Sequence, residues 1–120
     1  VESLAFEARW NLECLREAGI PISALRAVGG GARTPAGLQL KADVLGVPVA
    51  SLKMREAACL GAAMAAGLAT GVYRSAEEAA SLVQIDRVYE PDPLAQDAYT
   101  QRYHAYRALC ARMQQSPANF

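Results

Sequence analysis

No C-x-x-C pair, no surplus of charge of either sign and no long apolar run occur in these 120 residues. Each absence removes a class of protein. The three cysteines, Cys14, Cys59 and Cys110, are odd in number and far apart. That argues against a disulfide framework or a zinc site and suits a reducing, cytoplasmic setting. Each thiol falls in a helix-like segment and is expected buried or half-buried. Twelve Lys and Arg balance twelve Asp and Glu, so neither nucleic acid nor an anionic membrane has an electrostatic reason to bind. The most apolar run, Ala57 to Ala69, is mostly Ala and Gly and too short for a bilayer. No signal peptide opens the chain. No Met opens it either, and Val1 already begins a helix-like pattern, as expected of a piece cut from a longer protein.

What is present is an alternation of helix and strand patterns. Residues 1–18 read as a helix with Leu4, Ala8, Leu12 and Leu15 on one stripe, widened by Phe6, Trp10 and Cys14. Gly19 caps it and Pro21 stops it. Ala24 to Val28 is a short strand, broken by Gly29-Gly30-Gly31. Thr34 then serves as N-cap and Pro35 as first residue of a helix whose buried face is Leu38, Ala42 and Leu45. Gly46 ends that helix, and Val47-Pro48-Val49 leads a second strand, with Pro48 marking an edge or a strand start. Arg55 to Leu68 is an Ala-rich helix. Ser75 to Glu78 has the form of a capping box opening a short helix to about Val83. Val83 to Tyr89 reads as a strand or extended segment. Pro91-Asp92-Pro93 introduces a last helix, to about Met113. Such alternation predicts an α/β layer structure.

The chemistry-bearing stretch is Ala27 to Pro35, a strand running through three glycines into a helix start. Glycine lets a ligand approach the backbone closely, and the unpaired amides of a helix start attract anions such as phosphate. Two nucleotide patterns fail here. G-x-G-x-x-G would need glycine at Thr34 and an acidic residue after the next strand, and a P-loop would need a Lys at the helix start. On this local pattern alone a purely structural glycine turn stays equally open.

Val28-Gly29-Gly30-Gly31-Ala32-Arg33-Thr34-Pro35 resembles the GGGA segment of the FGGY family of sugar kinases. Leu38 to Val49 is similar to that family's Q-x-x-A-D-V-L-G-x-P-V, and Arg55 to Gly67 to its E-A-x-x-L-G-A-A helix. Gly71-Val72-Tyr73 and Tyr89-Glu90-Pro91-Asp92 fit the usual sequel. The resemblance runs from about Leu4 to Cys110 and leans towards xylulose-kinase-like members. It implies part of an actin-like ATPase (ribonuclease H-like) α/β domain: residues 1–113 as a portion of the C-terminal ATP-binding domain, with 114–120 a frayed tail. It further implies ATP with Mg²⁺, Gly29, Gly30, Gly31 and Ala32 against the nucleotide, and no catalytic residue in this chain. The sugar and the aspartate base belong to the family's N-terminal domain. Pro35 departs from relatives such as glycerol kinases, which place an asparagine there to touch adenine.

Other candidates have plainer readings. Asp43, inside a helix, is expected structural or solvated, and Glu56 suits the dipole of a helix start. Ala57, Gly61 and Ala65 form a small-residue ridge expected to pack tightly on the sheet. Tyr99, Tyr103, Tyr106, Cys110 and Met113 form a stripe expected in the core or at a partner surface. His104 lies off that stripe without ligand companions, and Arg33 is either a phosphate contact or solvated. Two functions follow: the nucleotide side of a sugar kinase, or an isolated, non-catalytic nucleotide-binding or self-associating module. In the second, apolar residues on several faces of the first helix would favour a homodimer.

Overall fold

The computed structural model describes residues 2–54 and 56–115. In order, α1 is Glu2–Glu17, β1 Leu25–Ala27, a 3₁₀ turn Gly30–Ala32, α2 Pro35–Leu45, β2 Val49–Leu52, α3 Ala57–Ala69, α4 Ala76–Ala80, β3 Ile85–Tyr89 and α5 Pro93–Gln115. The expected alternation is thus observed. Val1 and Arg55, where two helices were expected to start, and the tail beyond Gln115 lie outside the described residues. None of the described helices is long and apolar enough to cross a membrane.

Three strands form one sheet in the order β1-β2-β3. β1 runs parallel to β2, with Leu25 opposite Val49 and Ala27 opposite Ser51. β3 runs antiparallel to β2, with Val49 opposite Tyr89 and an irregularity between Ser51 and Leu52. Pro48 precedes the central strand, so of its two readings the strand start holds.

α2 is the hub. Thr34 caps it, its Oγ1 accepting the Gly37 amide at 3.2 Å, and Pro35 fills the first helical position. Gly46 ends it in the left-handed region at φ 64°, its amide bonded to the Ala42 carbonyl. Leu38, Ala42 and Leu45 join Leu12, Val47, Val49 and Tyr89 in one apolar cluster. Val44 joins Ala5, Phe6 and Tyr103 in a second. With side chains in both clusters, α2 is wedged between the sheet and the α1–α5 pair.

α1 is rotated from its expected stripe. Leu4 is 74 % exposed and Leu15 41 %, while Ala5, Phe6 and Leu12 are buried. Two neighbours, α2 and α5, meet α1 on adjacent sides, and an aromatic ring buries more apolar area than a leucine. Of the apolar residues on several faces of α1, Phe6 and Leu12 are covered within the chain, while Leu4 and Leu15 are not. Polar groups tie α1 to α5 as well. Tyr103 Oη donates to Glu13 at 2.5 Å, Tyr106 Oη to Glu7 at 2.6 Å, and Arg107 lies 4.0 Å over the Trp10 ring. The tyrosine stripe is core as expected at Tyr103, half-buried at Tyr99 and Tyr106, and spent by Met113, which is exposed.

α3 departs most from expectation. Its small-residue ridge meets no sheet: Gly61 is exposed, with open space where a Cβ would stand. Gly67 is its one buried residue, closed off by the Tyr73 ring. The cysteines differ too, since Cys14 and Cys59 are exposed and only Cys110 is half-buried. Cys59 is exposed because no described element covers that face of α3.

Candidate functional site

β1 ends at Ala27, and the chain must turn sharply to enter α2. Gly29 makes the turn at φ 73°, ψ −159°, a region open essentially to glycine alone. Gly29 is thus the member of the glycine run that needs its conformational freedom, while Gly30 and Gly31 have ordinary negative φ. The 3₁₀ turn follows, closed by the Ala32 amide on the Gly29 carbonyl at 3.1 Å. Such a turn leaves its first amides without an intrahelical partner.

An open cavity of about 560 Å³ lies beside this turn, at the C-terminal ends of β1 and β2. That is where α/β sheets place ligands, and the volume falls within the usual range of ligand sites. Ala27, Val28, Gly29, Gly30, Ala32 and Arg33 line it together with Pro35 and Leu38 of α2. Ser51 and Leu52 of β2, Met54 and Glu56 beyond it, and Asp86 and Tyr89 of β3 complete the lining.

Three of the four expected site residues, Gly29, Gly30 and Ala32, line this cavity. Gly31 does not. It borders a smaller cavity of about 220 Å³ behind the turn, with Leu4, Thr34, Leu40 and Lys41. There the Gly31 carbonyl accepts a hydrogen bond from Lys41 Nζ at 2.5 Å.

Arg33 and Glu56 are both brought to the cavity, and Glu56 makes no side-chain cap on α3. Asp43 is not brought there. It is 7 % exposed, and its Oδ1 accepts from Gln39 Nε2 at 2.8 Å and from the Asp92 amide at 2.9 Å. Its role is structural: it fixes the start of α5 to α2. His104 is exposed on α5 and does not line the cavity. Among the described residues no group of three or more His, Cys, Asp or Glu could hold a metal ion unaided.

Sequence reasoning missed Ser51 and Asp86. Both reach the cavity because β3 pairs antiparallel with β2, which sets Ser51 opposite Arg87, next to Asp86. The only available signal was the strand pattern of Val83 to Tyr89, which does not state its partner or direction. The Ser51 hydroxyl itself donates to the Arg87 carbonyl at 3.3 Å.

A parallel strand pair ending at a glycine turn, with an open cleft beyond it, is the kind of place where α/β domains bind ligands. Residues 1–70 match the FGGY family of carbohydrate kinases, C-terminal domain, and the chain belongs to this family. It is 45 % identical over 93 residues to a glycerol kinase of Nitratidesulfovibrio vulgaris (strain DP4), covering 77 % of this chain and 19 % of that protein. It is 29 % identical over 120 residues to a xylulose kinase of Staphylococcus epidermidis, covering 99 % of this chain and 24 % of that protein. The crystal structure of a xyloylose kinase from Brucella ovis superposes with a TM-score of 0.79 at 32 % identity, over 95 % of this chain and 24 % of that one. The chain thus spans less than a quarter of the length of each. Members of the family are sugar kinases, phosphotransferases acting on alcohol groups, with the actin-like ATPase fold.

Proposed function

We propose that this chain forms the nucleotide side of a carbohydrate kinase whose complete form transfers the γ-phosphoryl group of ATP to a hydroxyl of a small sugar. The carrying observation is the turn of Gly29, Gly30 and Ala32, bare of long side chains, along a cavity of about 560 Å³. A glycine wall admits the flat adenosine close to the backbone, and the leading amides of the turn suit its phosphates. Arg33 adds a cation to the same wall.

Mg²⁺ suits the donor set. It is commonly held by one or two carboxylates together with the nucleotide's own phosphates, and Glu56 and Asp86 are the carboxylates lining the cavity. Those two would face the ion, which supplies charge neutralisation on the transferring group. The residues of this chain bind and orient the nucleotide. The sugar and the aspartate that takes the acceptor proton belong, on this reading, to a domain beyond the chain. Free thiols and a need for ATP fit a cytoplasmic setting.

A xylulose-like pentulose is the acceptor we favour, because Pro35 stands where glycerol kinases carry an asparagine. Glycerol is the second reading, favoured by the 45 % identity to a glycerol kinase. Coupled ADP release by the intact protein with pentuloses and with glycerol separates them. Turnover with glycerol alone rejects the pentulose. The 120-residue chain by itself should show no sugar-dependent release. If the intact protein binds ATP and phosphorylates nothing, the non-catalytic nucleotide-binding module is the better account.

A further inference from the structure

We propose that Gly31 and Lys41 act as one brace that sets the glycine turn from behind, which makes Lys41 a positioning residue for whatever the turn meets. The proposal rests on the nucleotide reading only for the identity of that ligand.

Gly31 faces away from the large cavity, and its carbonyl is held by Lys41 Nζ across ten residues of sequence. Lys41 stands near the middle of α2, between Leu38 and the buried Ala42, Val44 and Leu45. Its stem is therefore rooted in a helix that contributes to both apolar clusters, while its ammonium reaches the 3₁₀ turn. A charged donor on a carbonyl is the stronger kind of hydrogen bond.

Why position 31 is glycine now has a specific answer. Its φ is not positive, so conformational freedom is not the reason. A Cβ built there would stand 2.9 Å from Lys41 Nζ, inside normal contact distance. Gly31 is small so that the ammonium can reach the carbonyl. Alanine at position 31 would push the flexible end of Lys41 aside and leave the backbone able to fold. G31A and K41M should therefore inflict the same injury by different routes.

The closing hydrogen bond of the turn, Ala32 amide to Gly29 carbonyl, is the local reporter. In the intact protein, G31A, K41M, K41R and the G31A/K41M double variant are compared by Ala32 amide exchange, KM for ATP, KM for sugar, kcat and melting temperature. Each of G31A and K41M should speed Ala32 exchange and raise KM for ATP roughly three- to tenfold, an effect limited by solvent screening of an exposed bond. Sugar KM, kcat and melting temperature should hold. K41R should restore most of the loss, and the double variant should be no worse than the poorer single one. Losses that multiply in the double variant overturn the shared role, as does unchanged Ala32 exchange in K41M. Faster exchange with unchanged KM for ATP overturns the positioning role. An intact protein that takes no ATP defeats the nucleotide reading instead, and Ala32 exchange alone then judges the brace.

Discussion

Two parts of this chain behave oppositely, and the more apolar of the two is the less buried. The body formed by α1, α2, α5 and the sheet buries its apolar residues in two clusters joined through α2. The arm formed by α3 and α4 leaves Leu68 and the following Val72 exposed, and buries only Gly67 and Ala79. Helices of the body have apolar stripes with polar backs, whereas α3 is apolar nearly all round, a pattern that belongs to burial on several sides. Hydrophobic content alone therefore does not say where a core forms. A neighbouring element must be available to cover each face.

The largest expected effect sharpens that contrast. Leu45→Ala, at a site 5 % exposed, should cost about 2–5 kcal/mol in urea unfolding. Leu68→Ala on the arm, at a site 38 % exposed, should stay within about 0.5 kcal/mol. Equal losses at both positions would break the division of the chain into body and arm.

Next comes Asp43→Ala. It strips the partner from the Asp92 amide and from Gln39 Nε2, and should cost about 1–3 kcal/mol, read by the same unfolding experiment. Asn at this position keeps one acceptor oxygen and should recover part of the loss. A neutral result would mean that α5 is held by its aromatic face alone.

A smaller, pH-dependent effect belongs to the body only. Burial, and then the hydrogen bond to Glu13, raise the Tyr103 hydroxyl above its ordinary value of 10.0. The hydrogen bond to Glu7 does the same for Tyr106. A group whose folded pKa is raised stabilises the fold fully below its unfolded pKa and loses that contribution as pH rises towards the folded value. Stability should therefore be flat up to about pH 10 and fall above it. Tyr103→Phe should flatten the fall without altering the arm, which carries neither residue. Circular dichroism melting across that range checks it.

The smallest effect has the opposite sign. Gly61→Ala meets open space on an exposed helix face and should stabilise by about 0.5–1 kcal/mol through helix propensity. Gly67→Ala, six residues on, would drive its Cβ against the Tyr73 ring and should destabilise. Thermal melts of the two variants moving in the same direction would contradict the described exposure of α3.

Much of the body was legible beforehand because its signals are local. Thr34 and Pro35 announce the start of α2, Gly46 its end, and Leu38, Ala42 and Leu45 its inward face, all as observed. The glycine turn was legible as a turn, but not its inner division of labour. Which glycine takes positive φ is set by the turn from β1 into α2, and which must make room for Lys41 depends on a side chain ten positions away. The rotation of α1 was hidden because α5, which covers Phe6, lies at the other end of the sequence. Asp43 was placed within a helix without the Asp92 amide that explains its burial, since that contact spans 49 residues. The direction of β3, and with it Ser51 and Asp86 at the cavity, was equally a long-range fact.

The contacts between α1 and α5 carry one more consequence, in the currency of chain topology. Glu2 meets Arg102 and Glu7 meets Tyr106, pairs separated by 100 and 99 residues. Docking α5 therefore closes nearly the whole chain into a ring, and contacts of such long sequence separation slow folding. Once the ring is closed, the entropy of a longer connection grows only logarithmically, by about 0.6 kcal/mol for each doubling of loop length. The segment between β2 and β3 is then a tolerant place for extra residues, because it lies inside a loop whose ends the sheet already joins. Shortening α5 past Tyr103 has no such leniency, for it opens the ring itself.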